Sequence, residues 1–214
     1  TVLAWRWLDR PAGSIALAMA MSVRPTFGVF LLWQSLRQAW RPLGWTIAAA
    51  VVLVILSLPA VGVEAYAGYL TTLANVSITS DVASSDVAAT ARALGLDDGV
   101  ARSWSVAVWL VALSAIVVSL RREAEVGFMV TLVATVLMGP LAWEHYPALI
   151  LIPAAFLAAR GRWWALLLPL LTWLPREFLV FVTLAALLAP FAARRMEAFD
   201  SGGSSRPAWS GGAE

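Results

Sequence analysis

Long apolar stretches, separated by short breaks that carry arginine, run along most of this chain. They mark off Gly44–Val63, Ser103–Leu120, Val126–Ala142, Ala148–Ala159, Trp163–Leu174 and Phe178–Phe191. Stretches so long and so poor in charge predict helices that cross a membrane. A further apolar stretch, Gly13–Trp33, is interrupted near its centre by Arg24-Pro25. A charge at the centre of a single span costs about 2.5–3.5 kcal/mol on insertion scales. Proline removes a backbone donor and drives the residue before it out of helical geometry. The pattern therefore predicts a hairpin, with Ala12–Val23 ascending, Arg24-Pro25 turning and Thr26–Leu36 descending. Each arm is about 18 Å long at 1.5 Å per residue, against a hydrocarbon core of roughly 30 Å. Arms of that length must pack inside a bundle that admits water or a headgroup. Eight helical segments follow, some of them half-length. The predicted fold is an all-α, polytopic transmembrane helical bundle over residues 1–199, with residues 200–214 a Ser/Gly-rich disordered cytoplasmic tail.

The arginines set the orientation. Arg6 and Arg10, Arg37 and Arg41, Arg121 and Arg122, Arg160 and Arg162, and Arg194 and Arg195 fall in the breaks. The positive-inside rule places all five groups on the cytoplasmic side. Asp86, His145 and Arg176 then face outside. The Glu64–Arg102 stretch becomes one long outer loop, in which Asp81–Leu96 has the pattern of an amphipathic helix on the membrane surface, stopped at Gly95. Composition supports the membrane reading. The chain is 61% hydrophobic and 13% charged, where soluble domains carry about 25% charge. Its mean hydropathy is +0.80. The 15 basic residues, all arginine, serve topology rather than a nucleic-acid face, and with no cysteine there is no disulfide framework. The chain opens at Thr1 without a secretory signal, and residues 1–10 read as a juxtamembrane segment of a longer protein.

Two interruptions could carry chemistry. Arg24 offers a planar, permanent charge beside a helix start at Pro25, an arrangement suited to phosphate. It could equally be a snorkelling or ion-paired residue that ends a helix. The second, Trp143-Glu144-His145-Tyr146-Pro147, contains the only histidine of the chain. Pro147 starts a descending helix there, with donors on His145 and Tyr146 just ahead of it. Trp143 and Tyr146 also suit a plain interfacial belt. Together the two sites point to a membrane enzyme handling a phosphate-bearing lipid. Pro175-Arg176-Glu177 reads as a charged turn, with Arg176 a further candidate for substrate contact. Asp97-Asp98-Gly99 reads as a tight turn rather than a cation loop. Asn75-Val76-Ser77 matches a glycosylation sequon without further support. There is no Walker loop, no zinc-protease motif and no Ser/His/Asp grouping.

At these residues the chain resembles glycosyltransferase family 87, over roughly residues 1–195. One motif is a small-residue helix ending in a basic residue and proline, here Ala16-Leu17-Ala18-Met19-Ala20-Met21-Ser22-Val23-Arg24-Pro25-Thr26. Family members more often have lysine at the place of Arg24. The other is a Trp-x-His turn, here Gly139-Pro140-Leu141-Ala142-Trp143-Glu144-His145. Members often carry a second histidine where this chain has Tyr146, and serine near Ala142. The resemblance implies a GT-C-type fold in a bacterial plasma membrane. It implies transfer of mannose from a polyprenyl-phosphate donor to a glycolipid or glycan acceptor at the outer face. Arg24 and His145 would stabilise the departing phosphate, and Trp143, Glu144, Tyr146 and Arg176 would line the substrates. It also implies an acidic general base in an outer loop preceding Thr1, so residues 1–214 alone are expected to be inactive. No metal or cofactor is called for, since Arg24 and His145 can supply the positive charge, and the partners are the two substrates and membrane lipids. The rival readings are a transporter or flippase of lipid-linked sugars, which would also break helices around charges at depth, and a non-catalytic membrane subunit.

Overall fold

The computed structural model describes residues 2–79, 87–139, 146–173, 175 and 178–192. Among these every regular element is helical. In chain order they are α1 (Val2–Arg6), α2 (Pro11–Val23), a 3-10 turn Pro25–Gly28 running into α3 (Val29–Leu36), α4 (Trp40–Val61), α5 (Val63–Thr79), α6 (Val87–Ala93), α7 (Asp98–Ser119) and α8 (Ala124–Leu137). A second 3-10 turn, Tyr146–Ile150, leads into α9 (Leu151–Ala159). The next segment is irregular, with 3-10 turns Trp163–Leu166 and Leu171–Trp173 on either side of α10 (Leu167–Leu170), and α11 (Leu179–Ala192) closes the series.

Helix α8 is the centre. Every residue from Gly127 to Leu137 is buried, and α3, α7, α9 and α11 all pack on it. A helix apolar all round is stable only when surrounded in this way. Its polar residues are satisfied locally: Thr131 and Thr135 donate to the carbonyls of Gly127 and Leu132, at 2.8 and 2.7 Å. Helix α4 is the opposite case. It has 22 residues and a mean hydropathy of 2.2, yet only 6% of its most apolar stretch is buried within the chain. Helix α7, also 22 residues long, has a mean hydropathy of 1.8. Both are long and apolar enough to cross a membrane. The bare apolar face of α4 distinguishes it from the core helix of a soluble protein.

The contacts between helix ends fix which breaks share a side. The Ser14 hydroxyl donates to the Pro42 carbonyl at 3.1 Å, joining the start of α2 to the start of α4. Gln34 Nε2 donates to Thr46 Oγ1 at 3.4 Å, bringing the end of α3 to the same place. Helix α2 therefore rises from this end and α3 returns to it, which is the expected hairpin. Trp33, near the end of α3, presses so closely on the first turns of α8 that a Cβ on Gly127 would stand 2.6 Å from its Nε1. Arg160, just past α9, donates to Glu123 and Glu125 at 2.7 and 2.9 Å. Trp5 of α1 meets the Phe156 ring edge-on at 5.8 Å. The arginine-bearing breaks around residues 6–10, 37–41, 121–122 and 160–162 thus gather at one end. At the other end Arg24 and Thr26 reach Gly139, and Trp104 of α7 meets Phe181 of α11 at 6.2 Å. Arg194 and the expected disordered tail lie outside the described residues.

Several expectations need correction. Glu64–Arg102 is not one long loop: it contains the 17-residue α5, α6 and the first turn of α7. Alternating small, polar and aromatic residues kept the hydropathy of α5 low without breaking its helix. The expected surface helix Asp81–Leu96 is described only as α6, whose Val87, Thr90 and Ala91 are buried while the helix packs on α7. Gly95 ends it as expected, at φ 80°. Asp97 is neither turn nor cation loop but the N-cap of α7, its carboxylate accepting from the Val100 N–H at 3.0 Å. This satisfies a donor that a helix start would otherwise leave open. The sequon Asn75-Val76-Ser77 lies within α5. Trp163–Leu174 is not one regular helix, because Pro169 in its middle lacks the N–H an α-helix needs.

Candidate functional site

The break at Arg24 is built by its neighbour. Pro25 excludes helical geometry one residue earlier, and Arg24 is extended at φ −140°, ψ 99°. It still closes α2, its N–H donating to Ala20 at 2.9 Å, while its carbonyl opens the next turn by accepting from Phe27 at 3.0 Å. The side chain turns into the bundle. Arg24 is 9% exposed, its guanidinium lies 6.0 Å from the centre of the Phe27 ring, and its Nη2 is 3.5 Å from where a Cβ on Gly139 would stand. A side chain so enclosed does not extend along the helix surface toward water. A guanidinium in low-dielectric surroundings attracts an anion far more strongly than an exposed one.

The descending arm begins differently from expectation. It starts as a 3-10 turn rather than as an α-helix. Pro25 has no N–H, and that of Phe27 is taken by Arg24, so the expected array of free helix-start donors is largely absent. Capacity for an anion here rests on side chains. Two residues that sequence reasoning missed adjoin Arg24. Thr26 has a buried hydroxyl with no hydrogen-bond partner among the described residues. Gly139 immediately follows the C-cap of α8, Met138, and a Cβ there would stand 3.3 Å from the Thr26 methyl and 3.4 Å from the Thr135 carbonyl. The one signal for Thr26 is its place after Arg-Pro. A threonine there has no regular helical turn behind it to accept its hydroxyl.

From Arg24 a buried aromatic column follows the descending arm. Phe27 stacks on Phe30 at 5.9 Å, Phe30 meets Trp33 at 6.1 Å, and Phe128 of α8 lies 4.8 Å from Phe30. Arg37 closes the far end, 5.8 Å from the Trp33 ring. The column holds the Arg24 turn in fixed register with α8.

Of the other candidates, Trp143, Glu144, His145 and Arg176 lie outside the described residues. Tyr146 opens the 3-10 turn Tyr146–Ile150, where Pro147 was expected to begin a helix. The structure thus brings Arg24 to Gly139, the first residue of the second motif. Gly139 precedes His145 by six positions in the sequence.

A search of curated proteins returned no match, and neither did a search of solved structures. The family model of glycosyltransferase family 87 matches residues 1–143, well over half of the 214 residues. The match takes in the Arg24-Pro25 break, Gly139 and Trp143, and it ends short of the residue 195 to which the motifs alone extended the likeness. The chain belongs to glycosyltransferase family 87 and is thereby a membrane glycosyltransferase.

Proposed function

We propose that the protein transfers a hexose, mannose by its resemblance, from a polyprenyl-phosphate sugar to a glycolipid or glycan acceptor at the outer face of a bacterial plasma membrane, as a multi-pass enzyme. The observation that carries the proposal is the inward-turned Arg24 at a helix break, beside the start of the motif that contains His145. A membrane glycosyltransferase whose leaving group is a phosphate needs a fixed cation at the end of the bundle where that phosphate arrives. The arginine-rich breaks lie at the opposite end, which under the positive-inside rule is the cytoplasmic one.

The chemistry follows from the leaving group. An acceptor hydroxyl attacks the anomeric carbon while a carboxylate takes its proton. The bond from that carbon to the phosphate oxygen breaks, and its electron pair remains on the phosphate. Arg24 and His145 stabilise the charge that develops there, which is electrostatic catalysis directed at the leaving group. Direct displacement inverts the anomeric configuration. Trp143, Glu144, Tyr146 and Arg176 line the two substrates.

The donor class is tested with the complete protein in nanodiscs. The enzyme is offered mannose on a polyprenyl phosphate or mannose on a nucleotide, with a glycolipid extract as acceptor. Transfer from the lipid donor alone is expected. Transfer from the nucleotide sugar alone would replace this reading with that of a nucleotide-sugar enzyme.

A further inference from the structure

Five threonines among the described residues share a habit that Thr26 lacks. Thr46, Thr71, Thr131 and Thr183 each donate the hydroxyl to the carbonyl four residues back, at 2.7–3.1 Å, and Thr135 to the one three back, at 2.7 Å. This local bond satisfies a hydroxyl inside an apolar bundle. Thr26 follows the extended Arg24 and Pro25, so no helical turn stands behind it. Its Oγ1 is shielded from solvent and has no hydrogen-bond partner among the described residues. A buried hydroxyl left in that state costs about 1–3 kcal/mol, and such groups in native proteins call for a ligand, a water or a functional account.

The surroundings favour a ligand. Thr26 stands two residues from Arg24, and both side chains converge on Gly139. A Cβ at that position would stand 3.3 Å from the Thr26 methyl and 3.5 Å from Arg24 Nη2. Any side chain at position 139 would therefore crowd both the threonine and the guanidinium. A neutral hydroxyl donor beside a guanidinium matches a phosphate, whose several oxygens accept from both at once.

We propose that Thr26 is a second phosphate-binding residue, its hydroxyl donating to the phosphate of the polyprenyl donor held by Arg24. This assignment rests on the proposed reading of Arg24 as a phosphate site. It is a role in binding a phosphate oxygen, not in the proton transfers.

The test is equilibrium binding of a polyprenyl monophosphate, and in parallel of the uncharged polyprenol, to the complete protein in nanodiscs. Thr26→Val keeps shape and removes the hydroxyl. It should weaken polyprenyl-phosphate binding about tenfold, the size expected for a hydrogen bond to a charged group, and leave polyprenol binding unchanged. Thr26→Ser should recover most of the affinity. Gly139→Ala retains the hydroxyl but crowds Thr26 and Arg24, and should weaken the phosphate ligand selectively as well. Wild-type affinity in Thr26→Val, with Arg24→Ala impaired, would overturn the Thr26 assignment and leave the Arg24 reading standing. Wild-type affinity in Arg24→Ala would overturn the reading on which both rest. Equal losses for phosphate and alcohol in Thr26→Val would reduce Thr26 to a packing residue and equally overturn the assignment.

Discussion

His145 is the catalytic candidate that the chain offers without competition, since there is no other histidine. Removing it should damage turnover more than folding. His145→Ala is expected to lose about 10²-fold or more in transfer rate, within the range for acid–base or leaving-group assistance. Its thermal stability should stay near that of the wild type, and His145→Gln should regain part of the rate through a neutral hydrogen bond. Near-normal turnover in well-folded His145→Ala would return it to the role of an interface residue. At this scale the sequence was informative where one residue's chemistry is unusual for its surroundings. Arg24 in an apolar stretch and a lone histidine between two such stretches announce themselves. Thr26 and Gly139 do not, because their importance depends on the partner each meets across the bundle, and that partner is distant in sequence.

Helix ends, more than helix existence, separate expectation from structure among the elements. The hairpin at Arg24-Pro25 was legible because proline acts locally on the residue before it. Most of the long apolar stretches were legible as helices, because only a helix satisfies the backbone of a single apolar segment; Trp163–Leu174 is the exception. The 3-10 character at Pro25–Gly28 and Tyr146–Ile150 was not, since a choice between bonding three or four residues back is settled by packing. Helix α5 was missed because polarity was read as loop. The contact of α3 with α8 depends on a small residue, as helices packing closely in membranes commonly do. Gly127 admits the Trp33 ring, whose Nε1 would lie 2.6 Å from a Cβ there. Gly127→Ala should therefore destabilise the bundle by about 1–3 kcal/mol through overpacking. A Cβ on Gly44 of α4 would meet nothing within 4 Å, so Gly44→Ala should be neutral or slightly stabilising. Thermal unfolding in detergent of the two variants decides it, and equal behaviour would contradict the close α3–α8 approach.

For the whole molecule, the arrangement of charge carries the functional argument. Arginine-bearing breaks collect at one end, where Arg160 also bridges Glu123 and Glu125. Arg24 stands apart from them at the other end, turned inward beside Gly139. An arginine needed only for topology belongs with the first group; one that binds a lipid phosphate belongs where Arg24 is. The sequence suggested this division through the parity of its breaks, and among the described residues the contacts between helix ends bring four of the five arginine groups together. The most direct measurement is the affinity of the complete protein for its polyprenyl-phosphate sugar donor, compared between wild type, Arg24→Lys and Arg24→Ala. A loss of at least about tenfold is expected in Arg24→Ala, the scale of a charge-assisted hydrogen bond. A smaller loss is expected in Arg24→Lys, which keeps the charge but not the planar fork. Wild-type affinity in a well-folded Arg24→Ala would contradict the assignment of Arg24 to the donor phosphate.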